Sequence, residues 1–309
     1  MIIYATNIHA GGGKILLDEV LKNQKLGPIS AVFIDVRYQL PSTVDLSTIS
    51  VFRIKPRLIS RWNAELKLKK YAAQYPNEQV LCFGNLPPFF RLKNHVLLFL
   101  QNAFLLSVIP IPKDKIQVFL RYTYERIWLR LFTKNIDQVL VQTKWMLKNL
   151  PMNLKPKAKV QVILPSLPQP EPIAKKYLFI SVTGSEKHKN LSSLLQALNQ
   201  TDLQNHRVAI ITAAPYLNTQ SKNIDFFSNI SRAELYKLYQ QSKCLIMTSE
   251  IESFCLPLYE AKHFGLDIIA TDAEFTKEAT STSYLVPKIS VNALKDAILL
   301  YIKSSSTKD

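Results

Sequence analysis

Glu252 and Glu260 stand with seven residues between them in the stretch EIESFCLPLYEAKHFGLDIIATD at 250–272, and Ser253, Phe254 and Pro257 lie in that interval. Pro257 suits the first turn of a helix, where a missing N–H costs nothing. Leu258, Ala261 and Phe264 then repeat at helical spacing, and Gly265 is placed to stop the helix. Ile268-Ile269-Ala270 reads as a short buried strand. Glu252 is therefore expected in a loop and Glu260 about one turn inside a helix. The unpaired N–H groups of that helix N-terminus favour an anionic group such as a diphosphate. By spacing alone, two acids on the solvent face of a helix look the same.

Two further loops carry groups of this kind. His9-Ala10-Gly11-Gly12-Gly13-Lys14 follows an apolar run and precedes ILLDEVL. It is not a P-loop, since Ile15 stands where Ser or Thr is needed, nor a dinucleotide fingerprint, since Leu16 occupies the third Gly position. What remains is a flexible turn at a helix N-terminus, where backbone approaches a ligand closely. Thr183 to Asn190 (TGSEKHKN) lies likewise between an apolar run and the helix-like LSSLLQAL, with Lys189 near the helix start. A solvated loop lysine is the commoner reading of such a residue.

Elements must hold these loops. Apolar runs of strand length occur at 1–5, 31–35, 79–83, 95–100, 138–142 and 160–164, then at 177–182, 207–212, 244–248 and 267–271. Their alternation with helix-length segments predicts parallel sheets flanked by helices, an α/β class. LPSLPQPEP at 164–172 holds four prolines in nine residues, the composition of a stiff extended linker. It divides the chain into residues 1–164, a linker at 165–172 and residues 173–309.

Composition sets the limits. A chain of 309 residues with 47% hydrophobic and 20% charged residues is globular and long enough for two domains. Met1 to Ala5 reads as a strand with no signal segment ahead of it, and Val96–Pro112 is broken by Gln101, Asn102 and Pro110, too short a run to span a bilayer comfortably. Three cysteines without ligand spacing suggest neither a disulfide framework nor a zinc site. A cytoplasmic protein is expected. Residues 1–165 carry 24 Lys and Arg against 9 Asp and Glu, a balance of +15 within the net +16 of the chain. A one-sided basic field calls for an anionic partner of the first half: nucleic acid, an anionic membrane or a phosphorylated acceptor. In RIKPRLISRWNAELKLKKY, Arg57, Arg61, Lys69 and Lys70 interleave with an apolar stripe centred on Trp62, as on an interfacial helix. RYTYERIWLRLFTK at 121–134 repeats the pattern, and there helices packed on a sheet with solvated cations are the simpler reading.

Glu-x7-Glu within ESFCLPLYEA, then Gly265 and a strand ending in Asp272, resembles the donor-site signature of retaining glycosyltransferase family 4 (group 1). Lys187-His188-Lys189-Asn190, ISRAELYKLYQQSKCLIMTS and the stretch Asp272–Glu278, similar to a loop ending in Glu, extend the resemblance over about 177–300. Cys255 stands where the family has Gly, Asp267 where it has Pro, and the Arg many members carry just ahead of Lys189 is absent. The resemblance implies a GT-B architecture, two Rossmann-like domains facing each other across a cleft. It implies a nucleotide-sugar donor on the C-terminal domain. Glu260 would hold the ribose hydroxyls, and Glu252 with the backbone of Ser253, Phe254, Cys255 and Leu256 would address the sugar. Lys189, helped by the Gly11, Gly12 and Gly13 loop, would neutralise the departing diphosphate. The family retains anomeric configuration without a dedicated general base, and its arrangement requires no metal or other cofactor. On the acceptor side, His9, Asn85, Gln101 and Asn102 stand near predicted strand ends.

Together these features predict a glycosyltransferase acting on a lipid-linked or saccharide acceptor, as in O-antigen or capsule assembly, peripheral at the inner face of the membrane. Membrane contact is expected from Arg57, Arg61, Trp62, Lys69 and Lys70. Two other readings stay open: a non-catalytic GT-B partner, and a nucleic-acid binder, although no recognised nucleic-acid motif is present.

Overall fold

Strands and helices alternate from Ile2 onward, and every strand pairs in parallel with its neighbours. The computed structural model describes residues 1–24, 26–113, 115–203, 206–213, 222–280 and 284–305; the last four residues of the polar tail lie outside the described residues. The chain divides into two units, Met1–Ser166 and Leu167–Asp309.

The first unit runs β1 (Ile2–Ala5), α1 (Gly11–Asn23), β2 (Ala31–Asp35), β3 (Ser50–Ile54), α2 (Leu58–Gln74), β4 (Val80–Cys82), β5 (Val96–Phe99), α3 (Ile116–Leu131), β6 (Gln138–Val141), α4 (Lys144–Asn149) and β7 (Ala158–Val160). Its sheet order is β3-β2-β1-β4-β5-β6-β7. β1, β2, β4 and β5 are buried at every position, as a parallel sheet covered by helices requires. Ala64, Leu68 and Ala72 of α2 and Leu129 of α3 close one core over Ile2, Tyr4, Phe33, Val96 and Leu98.

The second unit runs β8 (Tyr177–Val182), α5 (Leu191–Asn199), β9 (Val208–Ile211), β10 (Ile224–Phe227), α6 (Arg232–Gln240), β11 (Ser242–Met247), α7 (Leu256–His263), β12 (Asp267–Thr271), α8 (Glu274–Ala279), β13 (Tyr284–Val286) and α9 (Val291–Ser305). The sheet order is β10-β9-β8-β11-β12-β13. Leu194 and Leu198 of α5 pack with Leu294 and Ile298 of α9 in one core, while Leu235 and Leu238 of α6 join Leu258 and Ala261 of α7 in another.

Both sheets reverse direction beside their first strand, between β1 and β4 and between β8 and β11. Such a switch point opens a crevice at the carboxyl ends of the two strands, where open α/β sheets bind ligands. The Pro-rich stretch has no regular structure. Its Ser166 is held by Glu19 of the first unit, whereas Pro168 O accepts a hydrogen bond from His263 and Glu171 N donates to Gln240, both in the second.

Several expectations need correction. The apolar run at 160–164 is not a strand: β7 ends at Val160, and Ile163 N turns to donate to the Gln142 side chain. The stretch Asp272–Glu278 is a helix start rather than a loop, since α8 begins at Glu274. The three glycines do not precede helix α1 but form its first turn, with Gly11 at φ +65°, a conformation glycine adopts without strain.

Candidate active site

The β8–α5 loop places Lys189. A short 3-10 turn, Lys187–Lys189, ends at Asn190, whose φ of 53° turns the chain into α5. Three bonds tie this turn to the end of β11: Thr248 Oγ1 donates to Lys189 O at 2.6 Å, Asn190 Nδ2 donates to Thr248 O at 3.1 Å, and Glu250 N donates to His188 O at 2.9 Å. Lys189 Nζ thereby reaches Glu252 Oε1 at 2.5 Å. The pair occupies the two loops that flank the β8/β11 switch point. Burial works against the ammonium, but Glu252 outweighs it and holds the Lys189 pKa above its ordinary value. His188 moves the other way, pushed down by burial and then by the neighbouring Lys189 charge.

Glu260 lies in the second turn of α7, three residues beyond Pro257 in the first. It is 1% exposed and is paired with the Arg232 guanidinium, which also donates to Tyr236 Oη and stacks 4.6 Å from that ring. Arg232 starts α6, where Ser231 and Glu234 form a capping box. Burial opposes the guanidinium charge and Glu260 overrides it, so the Arg232 pKa is raised. Between the two ion pairs sits Cys255, the N-cap residue of α7, at φ 61° and ψ 70°. Its thiol is buried, and burial followed by the Glu252 charge pushes its pKa well up. Phe254 is buried and stacks on Tyr259 at 4.2 Å, while Ser253 and Leu256 are half-buried at the start of the helix. The result is a row of cation, carboxylate, thiol, carboxylate and cation around a helix N-terminus, suited to a ligand with both hydroxyl and anionic groups.

Residues 165–309 match the family described as Glycosyl transferases group 1. The matched stretch coincides with the second unit. No curated protein sequence matches the chain. Among solved structures, Anabaena HepE in complex with UDP-glucose superposes with a TM-score of 0.70 at 12% identity, over 99% of this chain and 90% of that one. Sucrose-phosphate synthase from Thermosynechococcus elongatus gives 0.70 at 14% identity with the same coverage. WaaG, described as a glycosyltransferase involved in lipopolysaccharide biosynthesis, gives 0.65 at 13% identity, over 99% and 91%. At such identity these likenesses establish the fold, two Rossmann-like units of GT-B type, and the match of residues 165–309 to the group 1 model supports a glycosyltransferase.

Arg232 was not singled out from the sequence, although the Ser231-x-x-Glu234 capping signature marks a helix start that puts it in the first turn. Its pairing with Glu260 across 28 positions had no local signal. Asp267, at the family's Pro position, accepts a hydrogen bond from Tyr301 Oη at 2.9 Å and so anchors α9.

In the first unit, His9, Asn85, Gln101 and Asn102 follow β1, β4 and β5, the three adjacent strands at the centre of the sheet. Three of them are committed to backbone. Asn85 at φ 67° accepts from Gln101 N at 2.5 Å, Gln101 Nε2 donates to Phe83 O at 2.9 Å, and Asn102 Oδ1 accepts from Phe104 N at 3.0 Å. His9 differs, since its buried Nδ1 has no hydrogen-bond partner among the described residues. Beside it, Asp35 is fully buried at the end of β2. Burial raises its pKa, but the Arg37 hydrogen bonds, with His9 contributing, bring it below the usual carboxylate range. A Cβ on Gly13 would stand 3.4 Å from Gln101 Oε1, so the glycine turn packs closely on this group; Gly11 and Gly12 are exposed. Of the expected membrane contacts, Arg57, Trp62, Lys69 and Lys70 are exposed. Arg61 is half-buried: its guanidinium stacks 4.9 Å from the Trp128 ring, with Nε buried. Among the described residues, no group of three His, Cys, Asp or Glu side chains is arranged to hold a metal ion, and no helix is long and apolar enough to cross a membrane.

Proposed function

We propose that this protein moves a hexose from a nucleotide-sugar donor, with retention of anomeric configuration, to a saccharide or lipid-linked acceptor in surface-polysaccharide assembly. It would work in the cytoplasm, peripheral to an anionic membrane. The observation that carries the reading is the pair Lys189–Glu252 at the switch point of a group 1 glycosyltransferase domain, beside the buried Glu260. UDP and UDP-glucose in the HepE structures support a uridine diphosphate sugar as the first donor to test, and WaaG supports a polysaccharide product.

The roles follow from the chemistry of each group. Glu260 offers a carboxylate oxygen to the ribose hydroxyls, with Arg232 holding its other side. Glu252 and the backbone from Ser253 to Leu256 accept and donate toward the sugar. Lys189 has three N–H donors, one engaged with Glu252, and the others are available to the diphosphate oxygens as charge builds on the leaving group. The N-terminus of α7 adds its partial positive charge. The departing phosphate takes the acceptor proton on the same face, so no separate base is needed. His9 and the Gly11–Gly13 turn are assigned to the acceptor and diphosphate side, and no metal or other cofactor is assigned.

The test is thermal denaturation with UDP, GDP and their sugars. A ligand at a hundred times its dissociation constant stabilises by about 2.7 kcal/mol. That corresponds to roughly 5–10 °C for a unit of this size. A shift with one nucleotide, lost in Glu260→Gln, is expected; no shift with any of them at saturating concentration refutes the donor site. Product analysis of the transferred sugar then reports the anomeric outcome.

A further inference from the structure

Helix α3 turns a second apolar face away from its sheet. Trp128 and Leu129 pack inward, yet Ile116, Leu120, Tyr124, Ile127 and Leu131 are 66%, 58%, 47%, 50% and 64% exposed. At 100° per residue these five side chains fall within an arc of about 80°. Helix α2 has a matching shorter stripe, Ile59, Trp62 and Leu66, exposed beside its buried Ala64 and Leu68. The stripes meet. Ile59 and Trp62 of α2 and Tyr124 and Trp128 of α3 line one cleft of about 290 Å³, with Arg61 and Phe89. Ring contacts cross it from Trp62 to Phe89 at 5.5 Å and from Phe89 to Trp128 at 4.0 Å. A monomer scatters single exposed hydrophobics, whereas a continuous patch of this kind marks a binding surface.

Charge selects the occupant. The two helices contain only two carboxylates, Glu65 and Glu125, and both are buried. Arg57, Lys67, Lys69, Lys70, Arg121 and Arg130 are exposed on or beside the same helices. Among the described residues of these two helices, the face therefore offers hydrocarbon and cations without an exposed carboxylate. A second copy would bring one +15 half against another. An anionic bilayer supplies hydrocarbon and phosphate together, and each cation near it adds attraction. We propose that the α2–α3 face docks on an anionic lipid bilayer, with the α3 stripe at the acyl boundary and the flanking cations among the headgroup phosphates. This deepens the peripheral location proposed above and rests on that part of it, not on the donor site.

The test is co-sedimentation of the full chain with vesicles of phosphatidylcholine alone and of phosphatidylcholine mixed with phosphatidylglycerol. Binding to the mixed vesicles alone is expected, weakening as salt rises because the attraction is screened. Leu120→Asp with Ile127→Asp should weaken it at least tenfold. Both sites are exposed, so the melting temperature and any nucleotide-induced shift should stay as in the parent. Arg130→Glu with Lys69→Glu provides a second disruption through charge alone. The proposal is overturned if the parent binds neither vesicle, or if both double variants bind as the parent does. It is also overturned if the parent is a dimer in solution that Leu120→Asp with Ile127→Asp dissociates, which would make the face a contact between copies.

Discussion

Arg232→Gln removes the cation paired with a carboxylate that has almost no water to turn to. Glu260 is 1% exposed, and breaking a fully buried pair from one side costs about 3–5 kcal/mol, because the remaining charge is stranded. Arg232 keeps 34% of its side chain in solvent, so the pair is partly screened. The expected loss drops to about 2–3 kcal/mol. At about 3 °C per kcal/mol, the second unit should melt roughly 6–9 °C lower. Glu260→Gln should cost less, about 1 kcal/mol, since Arg232 can reach water and retains Tyr236 beneath it. The double variant strands no charge, so its loss should fall short of the sum by about 1–2 kcal/mol. Calorimetry of the parent and three variants, which resolves the transitions of separate units, gives all four values. Strict additivity, or a loss below about 0.5 kcal/mol in Arg232→Gln, refutes the argument that Glu260 is held as a buried charge.

Two more perturbations test the same unit. His188 has its pKa depressed from 6.5, so the folded state binds fewer protons than the unfolded one. The stability contributed by the neutral ring is complete above the unfolded value and is lost as pH falls through 6.5 toward the folded pKa. Melting temperatures across that range should decline toward acid, with the decline reduced in His188→Asn; identical profiles refute the assignment. Cys255 sits at φ 61° with a buried thiol, so Cys255→Gly relieves backbone strain while losing packing. The two effects are each about 1 kcal/mol and should nearly cancel. Cys255→Val, β-branched in the same conformation, should lose about 2 kcal/mol or more in denaturant titration, and equal stability of the two variants removes the strain argument.

The strands read from the sequence are those whose residues are buried on both faces. Those missed or misplaced are β3, β7, β10 and β13, and each lies at an edge of its sheet. β3 reads Ser-Val-Phe-Arg-Ile with two exposed positions, so it offers no continuous apolar run. An edge strand is recognised by its neighbour's hydrogen-bonding groups more than by its own hydrophobicity. Helix α7 was legible in detail, because Pro257 and Gly265 are local punctuation with a fixed conformational meaning. Helix α3 was legible as a helix, yet its sidedness was not. Apolar residues occur around much of its circumference, and which set is buried depends on where the sheet lies.

Sequence by itself determined the alternation of strands and helices, the basic character of the first half and the placement of Glu252 and Glu260 around a helix start. These are properties of spacing within a few residues, set by backbone geometry and the need to bury apolar side chains. Tertiary structure alone decided that Lys189 meets Glu252 across 63 positions and that Arg232 closes on Glu260 across 28. It also left eight large apolar side chains of α2 and α3 in solvent. Strand order brings distant loops to one switch point, and a helix has only one face to give to a sheet, so neither outcome is written in local spacing.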